Sequence, residues 1–567
     1  MLYRLYISLI KSLPERDKRI YLVYLILLVT TLFYYRTFNY GFVNLDDNIY
    51  VYNNYEIHNM SWQSIGKLFT YQFYGHYQPL TLLSYMIQYQ LCGNTAGPYH
   101  IVNVVFHLIT VLLAFRFVFL ISGRLTVSLA VALLMGIHPV NTEPVAWISG
   151  RNNLLFGLFY LAALVAYMNY RQRKKIHNYI VVLCLFIASV LSKSAAVTLP
   201  VTLIIIDYYL DRRISLKGIA EKIPLLLISG ALGILAILSA KEFGSAPETD
   251  VFSATNRIFL VLSATSFYIV KAIIPFKLLV YHPYPEVVSE LLPYSFYLSG
   301  IFIVIAILSV ILLKKLRRHL IFGLLLYLVT VSVSLQFVPV GDVFACERYA
   351  YIPDIGLFYI LGVIMVSIYD FFREKGHLLR HLWLTISVFF ILYLAINGFI
   401  RINVWKDTIT LFEDVIDKLP GHYYGYHSVG TGFLESGEPG KAVVYFDKAL
   451  KIKKNPYSYR GRGLCKSMTG NTGSAMNDFD KALLLSPGYA DAYSDRALLK
   501  IALRDYSGAV NDFDKAIAIK QNYGKLYYLR ANARQFISDD AEVCEDLKKA
   551  YSLGYYEAKA PMQGFCR

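Results

Sequence analysis

Two adjacent carboxylates, Asp46 and Asp47, follow the first strongly apolar stretch of this chain, within the run Gly41-Phe-Val-Asn-Leu-Asp-Asp-Asn48. Holding carboxylates at the edge of a bilayer is costly unless they bind a ligand or exchange a proton. A carboxylate can accept the proton of a weak nucleophile such as a hydroxyl group, and a pair also suits a divalent cation. The pair is therefore predicted to act as a catalytic base or to bind a cation.

A second set of ionisable residues lies at the ends of other apolar stretches, outside the basic clusters of the chain. Carboxylates, imidazoles and cations together can hold a phosphate, orient a sugar and move protons. If the apolar stretches cross a membrane as described below, the whole set lies on the external face, where a charged substrate carried on a lipid would meet it. The set comprises His138, Glu143, Arg151, Lys193, His282, Asp342, Glu347 and Arg348.

The composition is that of a polytopic membrane protein. The 567 residues are 56% hydrophobic and 17% charged, whereas soluble globular proteins carry about 25% charged residues. The formal net charge of +16 does not indicate nucleic-acid binding, because the basic residues cluster between apolar stretches as in cytoplasmic loops. Six cysteines occur without a Cys-x-x-Cys pair, so a structural zinc site is not expected.

Eleven apolar stretches are predicted to cross the bilayer, which takes about 20 residues. A twelfth, 253–275, is predicted to lie along the interface as an amphipathic helix, because all the basic clusters then fall on the cytoplasmic side. The N-terminus is thus predicted to be cytoplasmic, the first span retained, and the C-terminal region external. The predicted spans are 20–38, 99–121, 125–143, 152–170, 178–192, 196–210, 222–240, 293–313, 319–338, 355–372 and 382–400, and the basic clusters are 11–19, 171–175, 211–213, 314–318 and 373–381.

Beyond residue 404 the chain becomes more polar and repeats itself. The run Ala442-Val-Val-Tyr-Phe-Asp-Lys-Ala-Leu450 recurs at 475–483 and 509–517, with a degenerate copy at 543–551. The equivalent alanines are 33, 34 and 34 residues apart, which is the spacing of tetratricopeptide repeats. Residues 405–567 are therefore predicted to form an α-solenoid of about four repeats, whose groove binds a peptide or protein. Residues 1–404 form the predicted membrane domain, so the fold class is all-α.

Three segments of the chain resemble a known family. They are Phe42-Val-Asn-Leu-Asp-Asp-Asn-Ile-Tyr50, His138-Pro-Val-Asn-Thr-Glu-Pro-Val-Ala-Trp-Ile-Ser-Gly-Arg151 and Glu347-Arg-Tyr-Ala-Tyr-Ile-Pro-Asp-Ile-Gly356. With the repeats, they make the chain similar to the transmembrane-and-tetratricopeptide O-mannosyltransferases, relatives of the protein O-mannosyltransferases with the GT-C fold. The resemblance runs from about residue 40 to the end, and the His-Pro…Glu…Gly-Arg segment is its most specific part. The run 192–200 resembles bacterial members, for which the solenoid would lie in the periplasm.

The resemblance implies a glycosyltransferase that moves mannose or a similar sugar from a polyprenyl-phosphate donor to a hydroxyl acceptor, commonly a protein serine or threonine, with inversion. One aspartate of the acidic pair, Asp46 or Asp47, would then accept the hydroxyl proton. The solenoid would hold part of the acceptor protein. No obligatory metal is implied, although a divalent cation on the acidic pair stays open. The donor phosphate and sugar would be bound by His138, Glu143, Arg151, Lys193, Glu347 and Arg348, with the cations facing the phosphate.

Structural alternatives exist for every candidate. They are helix capping for the acidic pair, a helix stop for His138, and a side chain that snorkels from a span end for Lys193. For the chain as a whole, the alternatives are the same chemistry on a lipid or envelope glycan, and a non-catalytic scaffold that uses only its repeats. The remaining local alternatives are two ion pairs, Glu143 with Arg151 and Glu347 with Arg348.

Overall fold

The structure is a computed structural model that describes residues 15–70, 73, 75–211, 215–242, 252–285, 291–335, 337 and 343–566. Within these ranges the chain is mostly helical, with a small sheet in which His282–Pro283 pairs antiparallel with Val343–Ala345. The predicted all-α fold, with membrane helices followed by a tetratricopeptide solenoid, is confirmed. Asp342 and parts of the basic clusters 11–19 and 211–213 lie outside the described residues.

The chain forms two compact units. The first, here called the membrane unit, comprises Met1–Val43 and Met60–Lys406, and the second, the solenoid unit, comprises Asn44–Asn59 and Asp407–Arg567. The chain last changes unit between Lys406 and Asp407, and the division into domains 1–404 and 405–567 stays a prediction. The segment Asn44–Asn59, which carries the acidic pair, groups with the solenoid unit although the sequence places it directly after the first span.

Nine described helices of the membrane unit are long and apolar enough to cross a bilayer. A bent pair, Leu125–Ile137 and Pro139–Ala146, gives a tenth span if it counts as one. Two shorter apolar helices, Ile176–Ser192 and Ile223–Ser239, also occur but do not meet the length criterion. The described residues thus contain nine or ten candidate spans, against the eleven expected from the sequence. The nine helices are Asp17–Asn39, Ala96–Ser122, Ile148–Arg173, Ser194–Asp211, Ala254–Ile273, Tyr294–Leu312, Arg317–Ser334, Asp354–Lys375 and His377–Asn403.

One contact constrains how the helices in the middle of the membrane unit cross the bilayer. Arg318 Nε donates to the backbone oxygen of Tyr209 at 3.2 Å, so the ends of the two helices that carry these residues lie on the same side. The chain between them must then cross an even number of times. Three apolar helices are described in that interval, so at least one of these three does not cross if they are its only apolar helices. Ala254–Ile273, expected to lie along the interface, meets the length and composition criteria for a span.

The shorter elements of the membrane unit connect these helices. They are the helices or helical turns Trp62–Thr70, Pro79–Cys92, Pro139–Asn141, Thr142–Ala146, Ile148–Gly150, Ser194–Thr198, Leu216–Ala220, Ser332–Ser334 and Glu347–Ala350.

Helix pairs of the solenoid unit repeat as the sequence predicts. A methyl group at Gly430 would lie 3.0 Å from the ring of Phe446, and one at Gly463 would lie 2.9 Å from Phe479. These glycines therefore allow the two helices of a repeat to approach closely. The pairs are Tyr423–Glu435 with Pro439–Ile452, Pro456–Met468 with Thr472–Leu485, Ala490–Ala502 with Tyr506–Ile519, and Gly524–Arg534 with Asp540–Ser552, preceded by Thr408–Lys418 and followed by Tyr556–Ala558 and Lys559–Phe565.

A ladder of arginines joins consecutive repeats. Arg462, Arg496 and Arg530 are 34 residues apart, and each bridges an aspartate of its own repeat and one of the preceding repeat. Arg496, for example, pairs with Asp512 at 2.7 Å and with Asp480 at 2.6 Å. Charge-assisted bonds of this kind are directional, so the ladder fixes the stacking of the repeats. Its period of 34 residues is the same as that of the repeats.

The segment Asn44–Asn59, which we call the strap, is attached to the beginning of the solenoid through its first residue. The backbone nitrogen of Asn44 donates to Thr408 Oγ1 at 2.8 Å, and the side-chain amide of Asn44 donates to Glu435 Oε1 at 2.5 Å. The strap itself contains two short helical turns, Asn48–Tyr52 and Tyr55–His58.

The other end of the strap is attached to the last repeat. The ring of Tyr55 packs edge-on against that of Tyr555, with centroids 5.6 Å apart. Asn59 Nδ2 donates to the hydroxyl of Tyr556 at 3.1 Å. The strap thus bridges the first and the last helices of the solenoid unit.

A disulfide closes the C-terminal end of the solenoid. Cys544, in the last long helix, is bonded to Cys566 with their Cα atoms 5.0 Å apart, a normal separation for a disulfide. Cys92, Cys184, Cys346 and Cys465 are free thiols. The bond ties the terminal helix to the repeat that holds Tyr555 and Tyr556.

We expect the double substitution Cys544→Ser/Cys566→Ser to lower the free energy of unfolding of the solenoid by about 3 kcal/mol, because the bond closes a loop of moderate length. Denaturant unfolding of the purified chain measures this change, with Cys184→Ser as a control at an exposed thiol. In the unreduced, denatured wild type, four of the six cysteines should react with a maleimide. Reaction of all six without reductant would contradict the pairing.

Candidate active site

An ion pair between two loops of the membrane unit forms the centre of the site. Arg348 Nη1 donates to Glu143 Oε1 at 2.6 Å, and the backbone nitrogen of Arg348 donates to Glu143 Oε2 at 3.1 Å. Glu143 lies in the short helix Thr142–Ala146, and Arg348 in the turn Glu347–Ala350. The guanidinium carbon also lies 5.3 Å from the centroid of the Trp147 ring. The two loops are therefore held together by a two-point, charge-assisted contact.

Glu347 and its neighbour Arg348 interact with different residues. Its Oε1 accepts from the backbone nitrogen of Leu279 at 2.8 Å and lies 2.9 Å from His282 Nε2. Burial alone would raise the pKa of Glu347, but the interaction with His282 outweighs it and lowers the pKa to about 2. Glu347 is thus an ionised anchor for the loop that contains His282.

Neither local ion pair considered from the sequence is formed as such. Glu143 pairs with Arg348 and not with Arg151, while Glu347 pairs with His282 and not with its neighbour Arg348. The charged residues of two segments that lie far apart in the sequence thereby lie side by side.

Lys193 lies next to this ion pair, between the helices Ile176–Ser192 and Ser194–Thr198. Its Nζ donates to Asn153 Oδ1 at 2.5 Å and lies 5.1 Å from the centroid of the Tyr349 ring. The guanidinium carbon of Arg348 lies 5.2 Å from the same centroid. Two cations therefore flank one aromatic ring.

Among the residues that the structure describes, no carboxylate pairs with Lys193. Partial burial, together with the positive charge of Arg348, lowers the pKa of Lys193 to about 7. A cation kept in this environment gains stability from a bound anion. Among the described residues, Glu143 is the carboxylate that pairs with these two cations, so the described part of the site has a net positive charge.

Two of the predicted residues, His138 and Arg151, make supporting contacts within the membrane unit. His138 follows a helix end, and its Nδ1 accepts from the backbone nitrogen of Val140 at 3.3 Å, so it caps the next turn. Arg151 is fully buried and donates to Asn103 Oδ1 at 2.8 Å and to the backbone oxygen of Tyr99 at 3.1 Å. Through these contacts both side chains stabilise the surrounding backbone. That either residue also binds a ligand stays a prediction.

The sequence reasoning missed the neutral residues of the site. Asn153 holds the ammonium group of Lys193, and Asn152 Nδ2 donates to Gln78 Oε1 at 3.2 Å. Trp147 and Tyr349 supply the aromatic walls. Two adjacent asparagines at the start of a predicted span were a usable signal, since amides are unusual at the edge of an apolar stretch.

The acidic pair is part of the solenoid unit. Asp47 is fully buried, and Asp46 is partly buried. Asp47 occupies the position before the turn Asn48–Tyr52, but its side chain makes no capping hydrogen bond there. The capping alternative therefore does not explain the Asp47 side chain. In the described part of the chain, no group of three or more potential metal ligands is placed to hold an ion.

The similarity of this chain to known proteins agrees with the resemblance stated above. It is 22% identical to the protein O-mannosyl-transferase F38B6.6 of Caenorhabditis elegans over 398 residues, which is 66% of this chain and 54% of the relative. It is 33% identical over 166 residues to human TMTC4 and 31% identical over 155 residues to mouse TMTC3, both named protein O-mannosyl-transferases, covering 22% and 16% of their lengths. These similarities confirm the predicted resemblance.

The chain spans about half the length of the worm relative and smaller shares of the others. No protein-family model matches it. Among solved structures, a crystal structure of MamA covers 27% of this chain and 89% of its own, with 22% identity and a TM-score of 0.24.

Proposed function

We propose that this chain is an integral-membrane glycosyltransferase that moves mannose or a similar sugar from a polyprenyl-phosphate donor to serine or threonine hydroxyl groups of proteins, with inversion at the anomeric carbon. The relatives named protein O-mannosyl-transferases support the reaction class. Lys193 carries the proposal, because it is a cation without a carboxylate partner among the described residues, beside a ring shared with Arg348.

The donor phosphate is the anion that this site would bind. When the bond between sugar and phosphate breaks, negative charge grows on the departing lipid phosphate, and nearby cations stabilise it. Arg348 presents a planar guanidinium already held in position by Glu143, which suits a phosphate oxygen. Lys193 then supplies a positive charge that no carboxylate in the described ranges balances.

The acceptor hydroxyl needs a base. The acidic pair, Asp46 and Asp47, is our candidate, since an ionised carboxylate accepts the proton as the oxygen attacks the sugar. The strap places this pair in the same compact unit as the tetratricopeptide repeats. A protein acceptor held by the repeats would therefore be held by the unit that also carries the base, which favours a protein over a lipid or glycan acceptor.

The catalytic face is proposed to be external, with the N-terminus in the cytoplasm. Basic clusters at the ends of the spans support this orientation through the positive-inside tendency. The disulfide between Cys544 and Cys566 gives a second argument, because such bonds persist in oxidising compartments outside the cytoplasm.

The test is transfer of radiolabelled mannose from polyprenyl-phosphate-mannose in membranes that contain the full chain, compared with membranes lacking it. Label in the protein fraction that depends on the chain supports the proposal. Label only in the lipid extract would point to a lipid acceptor instead. If a panel of other polyprenyl-phosphate sugars also gives no transfer, the proposed activity is wrong and the scaffold alternative is favoured.

The affinity for the donor should fall as the pH rises. The pKa of Lys193 is lowered to about 7, so above that pH the free enzyme loses the ammonium form that binds the phosphate. A bound phosphate raises the pKa of Lys193 in the complex, so the complex loses its proton at a higher pH. The KM for the donor should therefore rise between about pH 7 and pH 9. Lys193→Arg keeps its charge over this range and serves as the control. An identical rise in the variant would contradict the assignment.

A further inference from the structure

A groove at the opposite end of the membrane unit from the candidate active site has no role in the chemistry proposed above. It lies between the helices Leu199–Asp211 and Arg317–Val331 and has a volume of about 480 Å³. Such a volume lies within the range of ligand-binding pockets. Both helices belong to candidate spans, so the groove opens where a span reaches the membrane surface.

The mouth of the groove is basic. Arg317 and Arg318 line it, and Lys314 and Lys315 precede them in the chain and are exposed. Arg318 is held in place, because its guanidinium carbon lies 4.7 Å from the centroid of the Tyr209 ring and its Nε donates to the Tyr209 backbone oxygen at 3.2 Å. Arginines in the first turn of a helix are repelled by the partial positive charge of the helix N-terminus. A bound anion would offset this repulsion.

The carboxylates at the same end of the neighbouring helix are already engaged with other cations. Lys222 Nζ lies 2.5 Å from Asp207 Oδ2, and Arg171 Nη2 lies 2.8 Å from Asp211 Oδ1. Within the described residues, no ion pair joins Arg317 or Arg318 to either of them. The positive charge of the groove is thus not neutralised by the described part of the protein.

The wall of the groove below the arginines is apolar. It is formed by Ile205 on one helix and by Ile321, Phe322 and Leu325 on the other. A cationic mouth above an apolar wall, at the end of two membrane helices, matches a molecule with a phosphate head and a hydrocarbon tail. A free inorganic anion would leave the apolar wall unused.

We propose that this groove binds an anionic glycerophospholipid of the surrounding bilayer, with its phosphate at Arg317 and Arg318 and the upper part of an acyl chain along the apolar wall. The bound lipid would contact both helices and hold them together at this face. This proposal does not depend on the glycosyltransferase activity.

The test uses the purified full chain in detergent, titrated with dioleoylphosphatidylglycerol while thermal unfolding is followed. We expect this lipid to raise the unfolding temperature where dioleoylphosphatidylcholine and inorganic phosphate do not. In Arg317→Gln, the concentration of dioleoylphosphatidylglycerol that gives half of the maximal stabilisation should rise about fivefold. A basic residue near a membrane surface increases the affinity for anionic lipids by about this factor. Arg317→Gln leaves the Arg318 contact with Tyr209 in place, so the variant is expected to fold.

The matched control is Arg373→Gln/Lys375→Gln, which removes two cations from another basic cluster. It should respond to the lipid as the wild type does. Equal stabilisation by phosphatidylcholine would overturn the proposal, as would equal stabilisation by inorganic phosphate alone. An unchanged titration curve for Arg317→Gln would overturn it as well.

Discussion

Replacing Lys193 by methionine is expected to lower sugar transfer by about 10²–10³-fold, the usual loss when one stabilising group is removed from a developing negative charge. The same change should leave the unfolding temperature unchanged or raise it. Methionine fills a similar volume, and no described carboxylate would be left without a partner. Loss of activity with gain of stability is typical of a residue kept for function. Initial rates with polyprenyl-phosphate-mannose and thermal unfolding of the same preparations measure both effects.

Lys222 provides the matched control for this prediction. Lys222 is buried like a core residue, but its Nζ forms an ion pair with Asp207 Oδ2 at 2.5 Å. Lys222→Met should therefore lower the unfolding temperature, because it removes one partner of an embedded carboxylate, while the catalytic rate of the folded fraction stays near that of the wild type. If Lys193→Met instead unfolds the protein and leaves the rate per folded molecule intact, Lys193 is structural.

The double variant Asp46→Asn/Asp47→Asn should lose about 10²–10⁴-fold in turnover, as expected when a general base is removed. Asparagine has nearly the same shape as aspartate, so the strap should keep its place. The KM for the donor should change little, because the lost group acts on the acceptor hydroxyl. Turnover of a serine-containing acceptor at saturating donor measures the loss, and the two single variants show which aspartate is the base.

Glu56→Gln is the control for the acidic pair, since it removes a carboxylate from the same strap, in the turn Tyr55–His58. It should transfer sugar at the wild-type rate. Wild-type turnover in the double variant would exclude the acidic pair as the base. It would then move the search for a base to the membrane unit, where Glu143 and Glu347 are both engaged in ion pairs.

The sequence was sufficient for features that depend on local periodicity. A span is a run of apolar residues, and a tetratricopeptide repeat returns every 34 residues, so each is visible within a short window. The ladder of Arg462, Arg496 and Arg530 has the same period and was accessible in the same way.

The partners within the candidate site could not be predicted in this way. Glu143 and Arg348 are 205 residues apart, and their pairing results from the packing of two loops of the membrane unit. Oppositely charged residues that are closer in the sequence, such as Arg151 for Glu143, were the partners considered, and the structure does not form those pairs. The choice between them depends on backbone geometry, since Arg348 also donates its backbone nitrogen to Glu143, and no spacing rule contains that information.

The attachment of the strap has a consequence for how the protein is made. Asn59 is synthesised 497 residues before its partner Tyr556, an interval of roughly 25–100 s at ordinary translation rates. During this time the strap, which carries the apolar residues Val51 and Ile57 that are fully buried in the finished protein, lacks the repeats to which it is attached. A chain that ends before the repeats never forms these attachments. We therefore expect such truncated chains to be recognised by chaperones and degraded, rather than to accumulate as shortened enzymes.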